Sequence, residues 1–188
     1  MQIVNNCHLN RYPICWMISS LLLFTACFSS KPIPTQGFQS IQLGNTMPPK
    51  GTPAWKGFPI QDTLFQENEF YWRGTYLSFP QGRVLLEEDF GQEAVPPLGI
   101  INRIRMETPD VTLHDSFQVG MSVDQLKSLA SKWFVLYLEE YNVVDISTEK
   151  YPGLHFLVPG TSILTNDHTS LRLKHINKEA KIVSIVIM

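Results

Sequence analysis

The chain has a short apolar stretch near its start, and the residues up to the end of this stretch differ in character from the rest. Residues 14–24 (ICWMISSLLLF) carry no charge and follow a polar stretch in which Arg11 is the only formal charge. A weakly positive leader, an apolar run of about 7–15 residues and small residues after it are the layout of a secretory signal peptide. The run is shorter than the roughly 20 apolar residues that cross a bilayer. We therefore predict an export signal over residues 1–26.

The end of this run resembles the bacterial lipobox, in which a cysteine receives diacylglycerol on its thiol before cleavage ahead of it. The residues are Leu23-Phe24-Thr25-Ala26-Cys27, and Phe24 stands where that pattern usually has Leu. The resemblance implies a lipid on Cys27 that anchors the protein to the membrane. An uncleaved anchor helix and an unlipidated signal peptide are the alternatives. Because residue 28 is Phe and not Asp, lipoprotein sorting rules imply the outer membrane, facing the periplasm.

The cysteines agree with export. Cys7, Cys15 and Cys27 lie at or before the proposed cleavage point, and the following 188 − 27 = 161 residues contain none. Exported chains pair their cysteines or avoid them, since their compartment is oxidising. Residues 28–37 are rich in Ser, Pro and Gly without periodicity, which predicts a flexible tether over residues 27–37.

The charge balance excludes an electrostatic grip on nucleic acid. After the leader the chain has 14 Lys and Arg against 17 Asp and Glu, a net charge of −3, and no basic stripe. With 44% hydrophobic and 17% charged residues the chain is core-rich, which is typical of a folded domain rather than a disordered one.

Alternating and β-branched patterns predict mainly antiparallel strands. A strand at 70–79 (FYWRGTYLSF) turns at Pro80-Gln81-Gly82 into a strand at 83–89, which together predict a hairpin. Four prolines make residues 47–60 a loop. The remaining predicted strands are 38–43, 100–106, 141–146, 154–158 and 182–188.

One helix is predicted. Ser122 and Gln125 form a capping-box pattern. Five apolar residues follow at helical spacing: Val123, Leu126, Leu129, Ala130 and Trp133.

Three matches between the halves predict a degenerate internal repeat. Residues 40–44 match 116–120, residues 77–79 match 154–156, and residues 101–106 match 182–187. The fold class predicted is therefore α+β: a β-rich unit at 38–110 and a second unit with the helix at 111–188. Chance similarity of short strands is the alternative.

The second half resembles small Gram-negative envelope lipoproteins of unknown function, including a family under envelope-stress control. The matching stretches are Ile101-Asn102-Arg103-Ile104, Val119-Gly120-Met121-Ser122 with Leu126, and Val183-Ser184-Ile185. The stretch from Gly120 to Leu126 also resembles the helix start of small outer-membrane assembly lipoproteins. These resemblances imply a fold and a compartment but no active site.

No catalytic or metal-binding pattern stands out. His114-Asp115 and Asp167-His168 lack a serine on a Gly-x-Ser-x-Gly turn, and the histidines lack metal-ligand spacing. Glu87 and Asp89 can share a strand face but are interpreted as a solvated strand end. We predict no catalytic residue, no metal and no cofactor.

The aromatic strand suggests a binding surface instead. Large side chains on both of its faces predict that one face covers the core and the other meets a partner, with Tyr71, Arg73 and Trp72, together with Trp55 from the proline-rich loop, as candidates. The alternative is packing within the fold. The function predicted is non-enzymatic binding or assembly with an envelope protein or cell-wall component. A cell-wall or glycan hydrolase and a small-ligand or lipid-binding lipoprotein are the alternatives.

Overall fold

A computed structural model describes residues 41–55, 57–67, 70–88, 99–113 and 116–188. The signal peptide, Cys27, the tether and the His114-Asp115 pair lie outside these residues, so the predictions about them stay predictions. No helix within the described ranges is long and apolar enough to cross a membrane.

The regular structure of the described residues is almost entirely β. It contains one α-helix, α1 (Val123–Lys127), and four short 3-10 helices. Its strands are β1 (Ile60–Glu67), β2 (Phe70–Phe79), β3 (Gly82–Glu88), β4 (Ile101–Glu107), β5 (Thr112–Leu113), β6 (Phe117–Gln118), β7 (Phe134–Leu138), β8 (Val143–Ser147), β9 (Leu154–Pro159) and β10 (Ser184–Ile187).

Eight of these strands form a single sheet in the order β1-β2-β3-β4-β10-β9-β8-β7. Every neighbouring pair is antiparallel. The sheet consists of two four-stranded meanders, β1–β4 and β7–β10, which meet where β4 pairs with β10. Strands β5 and β6 form a separate two-residue ladder.

The core covers one face of the sheet. On β4 the side chains of Ile104 and Met106 point into this core, as do Leu154, Phe156 and Val158 on β9. The layer that covers them comes from the connecting segments and from α1, including Ile41, Met47, Trp55, Phe117, Val123, Leu126, Ile176 and Ile182. Each fully buried Phe or Leu contributes about 1.5–3 kcal/mol through removal of apolar surface from water.

The entrances to the two meanders share one backbone arrangement. The Gly44 amide donates to the Ile101 carbonyl at 2.8 Å, and the Gly120 amide donates to the Ile182 carbonyl at the same distance. Both glycines have a positive φ, +80° and +91°. These are two of the three matches seen in the sequence. The remaining match, residues 77–79 with 154–156, does not relate equivalent strands. Leu77 lies on the second strand of its meander, β2, whereas Leu154 lies on the third strand of the other, β9. Duplication stays a hypothesis.

The predicted α+β class is wrong, because the protein is essentially all-β. The capping box of Ser122 and Gln125 is present as predicted, but the helix ends at Lys127. Phe134 to Leu138 then join the sheet as β7, since this β-branched and aromatic stretch pairs along its length with β8. Trp133, which the helical spacing placed on α1, instead packs edge-on against Phe156 with ring centroids 6.1 Å apart.

The predicted β2–β3 hairpin is confirmed, whereas the two strands at the edges of the sheet were not predicted. The β2–β3 hairpin closes at Phe79 and Gly82. Strands β1 and β7 were not predicted, and residues 41–43 form no strand. The two predicted units are continuous through the β4–β10 pairing.

Substitution of Gly153, which precedes β9, tests how closely the backbone there approaches Met188, which follows β10. A Cβ on Gly153 would lie 2.3 Å from the Met188 carbonyl oxygen, whereas a Cβ on Gly51 would meet nothing within 4 Å. Their φ angles are +79° and +78°, so the two positions differ mainly in this contact. We expect Gly51→Ala to lower the free energy of unfolding by about 1 kcal/mol and Gly153→Ala by about 2–4 kcal/mol, measured by denaturant titration. Equal losses would contradict the close approach.

Candidate functional site

The face of the sheet opposite the core forms a groove of about 760 Å³. All eight strands contribute to it, which requires the sheet to curve around the groove. Its lining residues are Phe65, Gln66, Tyr71, Trp72, Glu87, Glu88, Asn102, Arg103, Arg105, Leu138, Tyr141, Val143, Asp145, His155, Leu157, Val186 and Met188.

Strand alternation places charged side chains in this groove. On β4, Ile104 and Met106 face the core, so Arg103 and Arg105 face the groove. The same alternation on β9 directs Phe156 to the core and His155 to the groove. Because side chains alternate along a strand, burial of the apolar residues in the core places the polar residues between them in the groove.

Glu87 is the centre of a cluster in one half of the groove. Its residue is only 2% exposed, although it lies on the groove face of β3. Arg103, its direct cross-strand neighbour, donates from Nε to Glu87 Oε2. The indole Nε1 of Trp72 donates to Glu87 Oε1 at 3.3 Å, and Nη2 of Arg105 lies 3.9 Å from the same oxygen. One buried carboxylate thus holds two guanidinium groups and an indole.

An aromatic wall stands beside this cluster. The Phe65 and Trp72 rings stack with centroids 5.3 Å apart and planes at 21°. Gly74 makes room for the stack, because a Cβ there would lie 2.9 Å from Phe65 Cε2. The groove therefore offers apolar ring surface next to charged donors.

A second polar pair lies in the other half of the groove. His155 Nδ1 is 2.9 Å from Asp145 Oδ2 and 3.0 Å from Oδ1. Because an ionised carboxylate can only accept, Nδ1 carries the hydrogen and donates it. In neutral His155 this leaves Nε2 as the acceptor. Both side chains are mostly buried, at 23% and 17% exposure.

The two arginines of the groove, Arg103 and Arg105, carry more N–H donors than there are carboxylate oxygens bound to them. Each guanidinium carries five N–H donors. Among the described residues, the Nε of Arg105 is buried without a hydrogen-bond partner, and its contact with Glu87 is longer than a hydrogen bond. The carboxylates are already engaged: Glu87 by Arg103 and Trp72, and Asp145 by His155. Among the described residues, Arg105 Nε is therefore the buried donor of the groove that lacks an acceptor.

The structure divides the four residues predicted as a binding surface. Tyr71 and Trp72 line the groove. Arg73 pairs with Leu64, so alternation places it on the other face of β2 from Trp72. Trp55 lies in the core at 4% exposure, and its Nε1 donates to the Pro49 carbonyl at 2.8 Å. The proline-rich loop therefore covers the core at Trp55 and does not add this ring to a surface.

The interpretation of Glu87 as part of a solvated strand end is wrong. Glu87 and Glu88 are both buried, and Glu88 Oε2 accepts the Gly99 amide at 2.7 Å. The alternation of Arg103 and Arg105 with Ile104 and Met106 was the sequence signal for two cations on one face. No pattern in the sequence paired His155 with Asp145, since the strand register alone brings them together.

His168 and His175 have structural contacts, and the Nδ1 of His175 accepts the Arg172 amide at 3.2 Å. His168 packs edge-on against Tyr137 with centroids 4.8 Å apart. Its neighbour Asp167 accepts hydrogen bonds from the hydroxyl and amide of Thr169 and from the hydroxyl of Ser170, and these bonds lower the pKa of Asp167. Among the described residues, no three His, Cys, Asp or Glu side chains group as metal ligands would. The absence of a metal stays a prediction.

Comparison with known proteins supports the fold alone. No protein-family model matches the chain, and no curated protein matches its sequence. The crystal structure of the uncharacterized protein yfeY from Escherichia coli is similar, with a TM-score of 0.50 and 14% sequence identity. The match covers 69% of this chain and 81% of that one. At this identity the similarity supports the fold and carries no information about the chemistry of the groove.

Glu87 organises its cluster, so removing its charge has a measurable cost. We expect Glu87→Gln to lower the free energy of unfolding by about 2–4 kcal/mol, because Arg103 and Arg105 lose the counter-ion that they share. Glu107→Gln is the matched control, since the Arg83–Glu107 pair (2.8 Å) lies near the surface and should contribute about 1 kcal/mol or less. Denaturant titration measures both. A loss for Glu87→Gln as small as that of the control would contradict the cluster.

Proposed function

We propose that this protein is a lipid-anchored envelope protein that binds a ligand in the groove without transforming it. The observation that carries the proposal is the groove itself, which combines an aromatic wall with the Arg105 guanidinium, whose Nε has no hydrogen-bond partner among the described residues. Its volume of about 760 Å³ is within the range of small-molecule sites, about 300–1,000 Å³. The export signal and the lipobox pattern at Cys27 support the compartment, the outer membrane facing the periplasm.

The chemistry of the lining defines the class of ligand. The guanidinium group of Arg105, beside Arg103 in the groove, suits oxygen acceptors such as carboxylate, phosphate or carbonyl groups. Phe65 and Trp72 provide a surface for a ring or an acyl chain. We infer an amphiphilic ligand with an anionic or oxygen-rich head and an apolar body, which is the small-ligand or lipid-binding alternative made more specific.

The positions of the carboxylates do not favour the hydrolase alternative. Glu87 lies on β3 in one half of the groove and Asp145 lies on β8 in the other, four strand positions away in the sheet. Glycoside hydrolysis needs two carboxyl groups about 5–9.5 Å apart. Glu139 is exposed in a 3-10 helix outside the groove lining, and Asp89 lies outside the described residues. Glu87 and Asp145 are each also bound to a basic partner.

An anionic fluorescent amphiphile tests the groove. We expect anilinonaphthalene sulfonate to bind the full chain saturably, and Arg105→Gln to weaken that binding about tenfold, as loss of a charge-assisted hydrogen bond predicts. Arg83→Gln is the control: Arg83 is paired with Glu107, whose hydrogen bond raises its pKa, and it does not line the groove. Equal affinities for the two variants would place the binding elsewhere.

The anchor is tested separately. Cells that produce the full chain should incorporate a palmitate analogue into it, and Cys27→Ser should abolish the label because the acceptor thiol is lost. Cys15→Ser is the control and should keep the label. Equal labelling of Cys27→Ser and the wild type would contradict lipidation at this residue.

A further inference from the structure

The two edges of the sheet differ in their protection. An edge strand exposes unpaired amide and carbonyl groups, and natural edges are usually shielded by charges or prolines. At one edge, β1 contains Asp62, which pairs with Lys50 at 2.7 Å. At the other edge, β7 reads Phe-Val-Leu-Tyr-Leu and has neither a charge nor a proline.

Strand β7 also exposes apolar side chains. Val135 and Tyr137 pack against the core, whereas Phe134 is 46% exposed and Leu136 is 59% exposed. Among the described residues, no backbone hydrogen bond reaches β7 apart from those of its ladder with β8. This edge is therefore open to a further strand along its length.

The charges at the two ends of β7 have opposite signs. Lys132 precedes the strand and Glu139 and Glu140 follow it, all of them exposed. Antiparallel pairing of two such strands brings opposite charges together, while parallel pairing brings like charges together. The strand is thus complementary to an inverted copy of itself.

From this self-complementarity we propose that β7 pairs antiparallel with β7 of a second copy of this chain, centred on Leu136. In that register Leu136 faces Leu136 of the second copy and Phe134 faces Leu138. Just beyond the paired strands, Lys132 of each copy comes near Glu139 and Glu140 of the other. The interface is isologous, as expected of a two-fold dimer. Two five-residue strands bury less surface than a standard stable interface, so the dimer dissociates in the micromolar range or more weakly.

Pairing through β7 also determines how the grooves of the two copies are placed relative to each other. Leu138 lines the groove at the β7 edge. A two-fold axis perpendicular to the sheet makes one continuous sheet of the two copies, with both grooves open to the same side and their β7 walls adjacent. The pairing is independent of the groove's ligand, so the failure of either proposal leaves the other standing.

Disulfide formation tests the register. In an antiparallel pair, opposed Cα atoms lie about 4.5–5.5 Å apart, which suits a disulfide. We expect the full chain with Leu136→Cys to form a disulfide-linked dimer in cell envelopes, seen on non-reducing gels. Leu64→Cys is the control, since Leu64 is 62% exposed on the other edge strand. The wild type shows the background from Cys7, Cys15 and Cys27.

Reversing the charges at the ends of β7 distinguishes pairing in the proposed register from disulfides formed by random encounter of two copies. In the Leu136→Cys background, Lys132→Glu or Glu140→Lys alone should lower the dimer yield about tenfold, because two like-charge pairs form per dimer. The double change should restore the yield, although the contact of Lys132 with Glu149 stays lost in it. Equal yields from Leu136→Cys and Leu64→Cys, no restoration by the double change, or a link from Leu136→Cys to a different protein would each overturn the proposal.

Discussion

The antiparallel pairing of β4 with β10 is the contact on which the rest of the structure depends. It places Met106 beside Ile185 and Ile104 beside Ile187, and so joins two four-stranded meanders into one sheet. The same ladder continues the hydrophobic core across the seam, since Ile104, Met106 and Ile185 are all buried on the covered face. Without it the chain would have two small sheets, each with a core of marginal size.

The seam also assembles the groove. On the open face it places Arg105 beside Val186, and Val186 in turn pairs with His155 on β9. The Glu87 cluster belongs to the first meander and the Asp145–His155 pair to the second, so the groove exists only when the two are joined. Val186 is buried between the two clusters at 6% exposure, which gives the floor of the groove an apolar centre.

The hydrophobic core lies on one face of the sheet, and this explains why the other face can carry so many charged side chains. An antiparallel sheet packs its core on one side and can leave the other to water and ligands. Here the open face satisfies its carboxylates with neighbouring donors, Arg103 for Glu87 and His155 for Asp145. The Arg105 guanidinium is the group that the described residues leave short of acceptors.

The sequence by itself determined the β2–β3 hairpin, the capping box at Ser122 and the position of several strands, because these depend on alternation, turn residues and caps within a few residues of one another. It could not determine the length of α1, since helical spacing from Leu126 to Trp133 is also met by a loop that packs Trp133 on Phe156. Nor could it predict that Glu87 is buried, that Trp55 belongs to the core, or that His155 meets Asp145. Those outcomes follow from strand order and register, which bring together residues far apart in the chain, and only the tertiary structure decides them.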